Sequence, residues 1–474
     1  MSSHQSKAPF PQRVDKALED SFLREAVRKT QNKLRTGKAT AETEMENWED
    51  WRLRAEEIRR HTVENLDYYL DQFTIHVEQA GGQVHFADTS GDVLDVITGV
   101  IREKEAKSII KSKSMVSEEV DLNRVVEEMG LEAVESDLGE YIVQLAEEAP
   151  SHIIIPAIHK SRKQVAELFS REAGEELPEE TAALTRFARE RMRQKFLEAD
   201  IGVTGCNFGV AESGSVVLVS NEGNARLTTT LPKTHIVVMG MERIAPRWTD
   251  LDVLLTMLTR SATGQKITSY VTAITGPRRE YDADGPEELH VIVVDNGRSD
   301  ILGGEYQDVL HCIRCGACIN VCPVYRQIGG HAYGGVYPGP IGAVLTPLLE
   351  GFDEWEELPY ASSLCGACTD ACPVRIPLHE YLLDLRADEV EEKRTPWAER
   401  LAFKGFGLAT ENPALFSAGA KGGRLAAGPF TDEEGMVKKG LGPLAEWMET
   451  RDFPAPARHS FREWWKKEGR EGGD

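Results

Sequence analysis

The chain has 474 residues, of which 41% are hydrophobic, and this is enough for two or three domains with apolar cores. Its formal net charge of −23 repels nucleic acid and anionic lipid, so we expect neither as a partner. The first residues lack a signal-peptide core, and no stretch approaches the ~18 consecutive apolar residues of a transmembrane helix. We therefore expect a cytoplasmic protein in which any membrane association is peripheral, at the inner face of the membrane.

Residues 1–73 predict a helical arm. Within "ENWEDWRLRAEEIRRHTVENLDYYLDQF" the large apolar side chains recur close to the helical period. They are Trp48, Trp51, Leu53, Ile58, Leu66 and Leu70. We expect this stripe to pack on the domain that follows.

Residues 74–300 alternate between strand-like and helix-like segments, which is typical of a parallel sheet covered by helices. The first predicted strands are "QVHFA", "SIIKS", "LEAVES" and "HIIIPAIH", each followed by a helical segment such as "SEEVDLNRVVEEMG". Further on, "GSVVLVSNEGNARLTTTLPKTHIVVMG" predicts three short strands with tight turns at Asn221–Asn224 and Pro232, and "KITSYVTAIT" and "LHVIVVDNG" predict two more. The sequence therefore predicts an α/β domain with an added β-rich section.

Residues 301–390 carry two short cysteine runs. The first run, "CIRCGACINVCPV", follows the C-x2-C-x2-C-x3-C-P pattern of cluster ferredoxins. The second run, "SSLCGACTDACPVRIP", has three cysteines and Ser362 where a first cysteine falls in the pattern. In two-cluster ferredoxins the fourth cysteine of a run binds the other cluster, so we expect the two runs to exchange ligands.

This exchange predicts two ligand sets. Cluster one takes Cys312, Cys315, Cys318 and Cys372, and cluster two takes Cys322, Cys365 and Cys368. The fourth iron of cluster two faces Ser362, whose alcohol is a weaker ligand than a thiolate. Three alternatives stay open: a 3Fe-4S cluster, a 4Fe-4S cluster with Ser362 or water on the fourth iron, and a 4Fe-4S cluster capped by another residue.

Other uses of the cysteines fit the pattern less well. A zinc site built from four cysteines is the structural alternative, but zinc rarely needs a seven-thiol set with two proline-closed triplets. Disulfides belong to small secreted chains rather than to a large chain with clustered thiols. The eighth cysteine, Cys206 in "TGCNFGV", is a candidate for the missing ligand, although a buried structural cysteine is the simpler interpretation.

The surroundings of the runs predict an α-helical ferredoxin-type 4Fe-4S domain. The spacer between the runs is longer than in a compact bacterial ferredoxin, and "LHEYLLDLRADEVEEK" after Cys372 is helical in pattern. Residues 391–474 are rich in Gly, Pro and Trp, and we expect a loosely structured tail wrapped on the main body.

Several long segments together resemble the lactate utilization protein B family. They are "AESGSVVLVSNEGNARLTTTLPKTHIVV", "CIRCGACINVCPVYRQIGGHAYGGVYPGPIG", "SSLCGACTDACPVRIPL" and "HSFREWWKK", and their order extends the resemblance over nearly the whole chain. The resemblance implies the iron–sulfur subunit of a three-protein bacterial complex that oxidises L-lactate to pyruvate. It also implies two 4Fe-4S clusters, the second with three cysteine ligands.

The resemblance also carries expectations about fold and partners. Residues 74–300 are expected to be a lactate-utilisation (LUD) domain similar to the sugar-isomerase and CoA-transferase group (NagB/RpiA/CoA-transferase-like), and residues 391–474 a C-terminal region typical of the family. The implied partners are a cysteine-rich subunit, a second subunit with a related α/β domain, L-lactate or pyruvate, and an electron acceptor of unidentified kind.

Two other function classes compete with electron transfer. In one, the α/β domain is a small-molecule or CoA-thioester binding or transferase unit, and the clusters are structural or sense redox state. Glu212 and Glu222 are then candidate catalytic residues, because CoA transferases of similar fold use a glutamate in a comparable turn, although Asn-Glu-Gly is also a plain hairpin turn. In the other, the protein is a cluster-bearing scaffold that organises its partners without transferring electrons.

Four basic side chains follow predicted strands of the α/β domain. Because the carboxyl ends of parallel strands line the ligand crevice, these side chains are candidates to bind the carboxylate of lactate or pyruvate, with solvated loop charges as the alternative. They are Lys111, Lys113, His159 and Lys160, of which Lys113 and His159 are also candidate catalytic residues.

Overall fold

The structure is a computed structural model that describes residues 8–437, 445, 448, 451–457, 459–467 and 469. The chain divides into two compact units, residues 1–387 and residues 388–474. None of the described helices is long and apolar enough to cross a membrane.

The helices are numbered in chain order. Those that begin in the first unit are α1 (Phe10–Glu19), α2 (Ser21–Glu44), α3 (Trp48–Glu64), α4 (Leu66–Gln79), α5 (Ser90–Glu103), α6 (Met115–Glu119), α7 (Leu122–Glu128), α8 (Leu138–Leu145), α9 (Arg162–Ala173), α10 (Thr181–Glu198), α11 (Asn224–Thr230), α12 (Trp248–Thr263), α13 (Arg298–Ile301), α14 (Ala317–Val321), α15 (Tyr325–Ile328), α16 (Gly339–Glu350), α17 (Ala367–Ala371) and α18 (Leu378–Glu391). Short 3-10 helices lie at Met241–Arg243, Gln307–His311, His331–Tyr333 and Leu358–Tyr360.

The strands of the first unit form two sheets. The strands are β1 (Gln83–Ala87), β2 (Ser108–Lys111), β3 (Glu132–Glu135), β4 (Ile201–Thr204), β5 (Phe208–Val210), β6 (Ser215–Ser220), β7 (Thr234–Gly240), β8 (Ile244–Ala245), β9 (Tyr270–Ile274) and β10 (Glu288–Val294). The larger sheet has the order β1-β10-β7-β4-β2-β3, and every neighbouring pair is parallel. The predicted parallel sheet is therefore confirmed.

The registers of the large sheet bring its carboxyl ends to one edge. Val294 at the end of β10 pairs with Gly240 at the end of β7, and Lys111 at the end of β2 pairs with Glu135 at the end of β3. The central strand β7 is buried along its whole length, as expected for a parallel strand covered on both faces. Of the strands predicted for the β-rich section, β6 and β9 lie in the smaller sheet, in the order β8-β5-β6-β9, whereas β7 and β10 belong to the large sheet, so the prediction of a separate section is only partly correct.

The helical arm predicted for residues 1–73 is helical over almost all of its described part, and α4 continues past it to Gln79. The side chain of Asp20 caps α2 by accepting a hydrogen bond from the backbone N–H of Leu23. Helices α2 and α3 pack against α12 of the α/β domain, and α2 also packs against α14 and α15 of the cysteine-rich segment. The arm therefore contacts the two regions that follow it.

Two predicted strands of the α/β domain are wrong, and one predicted helix is interrupted. The segment "HIIIPAIH" is a series of bends and turns, because the ring of His152 accepts the N–H groups of Ile154 and Ile155 that a strand needs for pairing. The middle of the three strands predicted in "GSVVLVSNEGNARLTTTLPKTHIVVMG" is α11, in which Thr228 bonds back to the carbonyl of Asn224. The helix predicted in "SEEVDLNRVVEEMG" is split into two short helices.

The second unit contains more regular structure than the predicted loose tail. Its helices are α19 (Trp397–Glu411), α20 (Pro413–Ala427) and α21 (Phe461–Lys467), with a short 3-10 helix at Gly428–Phe430 and strands β11 (Met436–Val437) and β12 (Phe453–Pro454). The strands pair in antiparallel fashion. The prediction of a loosely structured tail is therefore wrong for α19 and α20, and part of that tail, including residues 438–444 and 470–474, lies outside the described residues.

Candidate iron–sulfur site

The two cysteine runs adopt the same backbone, position for position. Each has a left-handed residue just before the first cysteine of its CGAC sequence, Arg314 with φ 58° and Leu364 with φ 53°. Each has a left-handed glycine after that cysteine, Gly316 with φ 73° and Gly366 with φ 79°. A single turn of helix follows, α14 in the first run and α17 in the second. Glycine is required at a left-handed position where backbones approach closely, so the repeated CGAC sequence produces a repeated conformation.

Cysteines from both runs line one cavity. Its lining consists of four cysteines and a mostly apolar wall: Ile153, Cys312, Ile313, Arg314, Cys315, Gly316, Cys318, Ile341, Cys372, Pro373, Val374, Ile376 and Leu378. The four cysteines are the ligand set predicted for cluster one, and three come from the first run and the fourth from the second. Apolar side chains close the cavity, as expected for a site from which water is excluded.

The thiols of this first cavity lie close enough to influence one another. Burial, followed by the nearby Cys372, raises the pKa of the Cys315 thiol, and burial, followed by Cys312, raises the pKa of Cys318. Burial also raises the pKa of Cys372 to about 11. Because metal ligands must be deprotonated, three buried thiols with raised pKa values fit a cationic iron core, which stabilises their thiolate forms.

The remaining three cysteines of the two runs form a second group. Burial, followed by Cys365, raises the pKa of the Cys322 thiol, and burial, followed by Cys322 and Cys365, raises that of Cys368 to about 11. Cys365 is exposed, whereas Cys322 and Cys368 are buried. The Ser362 hydroxyl, at the position equivalent to Cys312, accepts a hydrogen bond of 3.1 Å from the backbone N–H of Leu364. This group matches the three-cysteine set predicted for cluster two.

Backbone N–H groups point at three of the sulfur atoms. The distances from nitrogen to Sγ are 3.4 Å in each case, from Arg314 to Cys312, from Tyr325 to Cys322 and from Ile376 to Cys372. Such N–H groups stabilise thiolate charge and are one of the means by which proteins set the reduction potential of an iron–sulfur cluster.

Side chains from outside the runs hold the carbonyl oxygens of three cysteines. The donor–acceptor pairs are Arg52 to Cys372 at 2.9 Å, Arg243 to Cys312 at 2.8 Å and Gln31 to Cys322 at 3.1 Å. Arg59, which is fully buried, donates to the carbonyls of Leu310 and His311 just before the first run and to those of Glu242 and Ile244. These contacts fix the cysteine loops to the helical arm and to the end of β7, and the sequence patterns did not reveal them.

A buried ion network connects the first run to the carboxyl edge of the large sheet. Arg298, just after β10, pairs with Glu119 at 2.9 Å and with Glu242 at 2.8 Å. Arg314 lies 3.5 Å from Glu242, and the hydroxyl of Tyr337 donates to Glu119 at 2.7 Å. This edge is where an open α/β sheet usually binds small ligands. In this chain, side chains of the cysteine-rich segment occupy part of it.

The apolar segment Ser151–Ile158 covers the first cavity. Ile153 lines the cavity, and the Cβ of a residue other than glycine at position 316 lies only 3.1 Å from Ile154. His152 bonds to the side-chain oxygen of Asn320 in α14 at 3.0 Å, and the hydroxyl of Tyr325 donates to the Ser151 carbonyl at 2.7 Å. The apolar composition that suggested a strand is thus explained by packing against the cysteine loops.

The basic side chains proposed for substrate binding all lie beside carboxylates. Lys111 is buried between Glu118 and Glu135, which raise the pKa of its ammonium although burial opposes this shift. Lys113 lies 4.0 Å from Glu140. Lys111 is the last residue of β2 and Lys113 follows it, so both lie at the carboxyl edge of the sheet, as expected.

His159 and Lys160 share one carboxylate, Glu148. Burial, and then the neighbouring His331, lower the pKa of His159 to about 4. Since residues 152–159 do not form a strand, the expectation that this pair follows a strand end is wrong. The substrate-binding role of all four basic residues stays a prediction.

An acidic cavity lies next to Lys111. Most of its lining side chains are polar or acidic: Glu118, Asn123, Arg124, Glu127, Glu135, Glu140, Val143, Gln144, Glu147, Glu148 and Pro150. Burial raises the pKa of Glu140 well above its ordinary value. Such a wall repels an anionic substrate. The side chains that line this cavity include no group of three or more His, Cys, Asp or Glu arranged to hold a metal ion.

The two candidate glutamates of the transferase hypothesis have local structural contacts. Glu212 is exposed and its carboxylate accepts the backbone N–H of Trp248, the first residue of α12. Glu222 is exposed in the turn between β6 and α11, where its backbone N–H and carbonyl both bond to the hydroxyl of Ser220. These contacts favour the plain-turn interpretation.

Cys206 lies between β4 and β5 and is not among the residues that line the first cavity. Burial raises the pKa of its thiol to about 12, and a hydrogen bond joins the backbone N–H of the next residue, Asn207, to Val217 of β6. These features favour the structural interpretation of Cys206 over a role as the missing ligand.

Family comparisons agree with this arrangement. Residues 70–294 match the LUD domain family, residues 308–376 match the 4Fe-4S dicluster domain family, and residues 387–470 match the C-terminal domain family of lactate utilisation protein B. A solved DUF162-family protein from Deinococcus radiodurans aligns with 48% of this chain and 98% of its own, at 14% identity and a TM-score of 0.28, which is too low to assign a fold.

Curated relatives match over almost the full length. Lactate utilization protein B of Shouchella clausii (strain KSM-K16) is 56% identical and that of Oceanobacillus iheyensis 53% identical, each over 98% of both chains. Lactate utilization protein B of Bacillus velezensis is 54% identical, also over 98% of both chains. With a 4Fe-4S dicluster domain at its two cysteine runs and relatives of this identity over its whole length, the chain belongs to the lactate utilization protein B family.

Proposed function

We propose that this chain is the iron–sulfur electron-transfer subunit of a complex that oxidises L-lactate to pyruvate. It holds two 4Fe-4S clusters in crossed ligation. Cluster one is bound by Cys312, Cys315, Cys318 and Cys372, and cluster two by Cys322, Cys365 and Cys368. Oxidation of lactate releases two electrons, and two neighbouring clusters pass them on one at a time.

The observation that carries this proposal is the cavity lined by cysteines of both runs. A run that bound its own cluster with all four of its cysteines would direct Cys322, not Cys372, toward Cys315. Instead Cys372 is the thiol that most affects Cys315, and Cys365 is the thiol that most affects Cys322. Two independent neighbour relations therefore support the exchange of ligands.

The surroundings of the two clusters suggest separate roles for this chain's residues. Around the first cavity, Ile153, Ile341 and Val374 exclude water, and Arg52 and Arg243 hold the loops in place. In the second group Cys365 is exposed, so cluster two is the one that a partner protein can approach closely. We propose the cysteine-rich subunit and the second LUD-domain subunit as the partners, with lactate oxidised outside this chain's own cysteine sites.

The fourth iron of cluster two is bound weakly. Ser362 takes the place of Cys312 in the repeated backbone, and an alcohol gives up its proton far less readily than a thiol. The hydroxyl of Ser362 accepts the N–H of Leu364 just as the Sγ of Cys312 accepts that of Arg314, so the weak acidity of the alcohol is what limits Ser362 as a ligand. We therefore propose a 4Fe-4S cluster with one labile iron, which converts to 3Fe-4S on oxidation.

The test is anaerobic purification of the chain with its co-purifying subunits. Iron and sulfide analysis should give two clusters per chain, and L-lactate should reduce them, as followed by their visible absorbance and EPR spectra. D-lactate and the isolated chain without partners are the controls. A preparation with both clusters and all subunits that L-lactate leaves oxidised contradicts the electron-transfer role, and a zinc-filled or single-cluster preparation contradicts the two-cluster site.

A further inference from the structure

We infer that a buried arginine group raises the reduction potential of the first cluster above that of the second. This arginine group consists of Arg59, Arg243, Arg298 and Arg314. The inference rests on the proposed function, because it requires a cluster in the first cavity. It assigns to these four residues a role in ordering the flow of electrons, in addition to their structural contacts.

Arg314 is the member nearest the thiols. It lies between Cys312 and Cys315 in sequence and lines the cavity with them. Its side chain is only 14% exposed, lies 3.5 Å from Glu242, and stacks 4.6 Å from the centre of the Tyr337 ring. A guanidinium cannot lose its charge under ordinary conditions, so this position contributes a permanent positive charge to the wall of the cavity.

The other members surround the same loop. Arg243 is 4% exposed and donates to the Cys312 carbonyl, and Arg59 is fully buried and donates to the carbonyl of His311, the residue before Cys312. Arg298 is fully buried and completes the network through Glu242. All four guanidinium groups therefore lie in a region of low dielectric constant, where charges interact strongly.

The carboxylates of the network do not cancel these charges. Two of them, Glu119 and Glu242, have side chains that are 2% exposed and pair with Arg298. Although burial opposes ionisation, Arg298 and Arg314 hold the pKa of Glu242 at about 2. Four guanidinium groups face two carboxylates, which leaves two positive charges in excess beside the first cavity.

The second run lacks this surplus. At the position equivalent to Arg314 it has Leu364, and its cysteine Cys365 is exposed to water, which screens nearby charges. The arginine found there, Arg386, donates to the carbonyl of Ser362 and stacks on the Tyr360 ring. Because the two runs share one backbone, the difference in charge is the main difference between the two sites besides Ser362.

The sign of the effect follows from electrostatics. A thiolate-ligated iron–sulfur cluster gains one negative charge when it accepts an electron, and a fixed positive charge nearby stabilises that reduced state. The first cluster should therefore be reduced before the second. Removing one buried positive charge should lower the equilibrium constant for its one-electron reduction on the order of tenfold.

The experiment is a redox titration, followed by EPR, of the anaerobic full-length chain and its variants with both clusters loaded. Arg314→Gln should lower the potential of the first cluster and leave that of the second unchanged. Glu242→Gln should raise it, and the double variant Arg314→Gln/Glu242→Gln should return close to the wild-type value. Arg375→Gln is the matched control, since Arg375 is three residues from Cys372 but is 44% exposed and pairs with Glu56.

The outcomes separate this inference from the proposed function. A wild-type chain without two clusters overturns the proposed function itself. With both clusters present, a first cluster reduced after the second, or a Glu242→Gln potential at or below the wild-type value, overturns the inference alone. If Arg314→Gln loses iron, the conservative variant Arg314→Lys should keep the potential near the wild-type value, and Glu242→Gln still decides the sign.

Discussion

The residue before the CGAC sequence is Arg314 in the first run and Leu364 in the second, at nearly the same left-handed backbone angle. Near Arg314 lie Glu242 and Tyr337, and Ile153 and Ile154 pack at Gly316, two residues further on. Around Leu364 lie an exposed cysteine and a serine that replaces a ligand. One local sequence pattern has thus produced one loop shape in two different environments.

This difference separates what a motif determines from what its environment determines. The spacing of the cysteines and the glycine of the CGAC sequence set the shape of the loop and the direction of the thiols. Burial, charge and hydrogen bonding set how firmly a cluster is held and how readily it is reduced. On the proposed ligation, we expect the first run to retain its cluster more firmly and at a higher potential, and the second to be more accessible to a partner.

Replacing Cys372 has the largest expected effect, because it removes the thiol that the second run contributes to the first cavity. Cys372→Ala should abolish the cluster in the first cavity and spare the cluster bound by Cys322, Cys365 and Cys368, since Cys372 lines the first cavity. Iron analysis and EPR of anaerobic protein measure this, and Cys206→Ala, which should keep all its iron, is the control. Selective loss of the cluster at Cys365 and Cys368 would show that the exchange of ligands is wrong.

Replacing Arg59 should destabilise the first run more than the second. Arg59→Met leaves four buried carbonyls without their donor and should lower the free energy of unfolding by about 3–5 kcal/mol, with iron lost first from the cluster beside Cys312. Urea unfolding and iron content measure the two effects. The control is Arg60→Met, since Arg60 is the next residue and 49% exposed. Equal unfolding midpoints for the two variants would contradict this role for Arg59.

Acid should loosen the first run more than the second. His152 bonds to Asn320 in the first run, whereas the equivalent residue of the second run, Asp370, is exposed. Burial lowers the pKa of His152 to about 4, below the ~6.5 of an unfolded histidine, so the unfolded chain binds more protons between these values. The contribution of His152 to the free energy of unfolding is complete above pH ~6.5 and falls as the pH drops toward 4. At pH 5 the loss is about 2 kcal/mol.

The measurement is the free energy of unfolding of the wild type and of His152→Gln between pH 5 and 7.5. The variant should have lower stability at neutral pH and a flatter pH dependence. His61→Gln, at an exposed histidine, should keep the wild-type slope. A slope in His152→Gln as steep as in the wild type would mean that other groups cause the acid sensitivity.

Restoring the missing thiol has the smallest expected effect and makes the two runs more alike. Wild-type protein exposed to air should lose about one iron per chain and develop a 3Fe-4S EPR signal, because one iron of the second cluster lacks a thiolate. Ser362→Cys should suppress that signal and slow the loss. Ser362→Ala should match the wild type if water is the fourth ligand, and should speed the loss if the serine oxygen is. An unchanged signal in Ser362→Cys would place the labile iron elsewhere.

Local patterns allowed much of this structure to be predicted. The strands β1, β2, β3 and β10 and the helical arm follow from periodicity over a few residues, and the two groups of cysteines follow from spacing. The segment 152–159 was misjudged because its apolar residues pack on loops that lie far along the chain. The same reason explains why Arg59, Arg298 and Glu242 were missed, since their partners are set by the tertiary fold and leave no spacing in the sequence.

The shared lining of the first cavity also has a consequence for biosynthesis. Cys312, Cys315 and Cys318 leave the ribosome well before Cys372, and their fourth companion is absent until the later run has been made. Arg52 and Gln31, which hold the cysteine carbonyls, are by then already available. Iron delivered before residue 372 is made would meet an incomplete first site, so metal insertion there should come late in synthesis, and a truncated product ending before residue 365 should carry neither cluster intact.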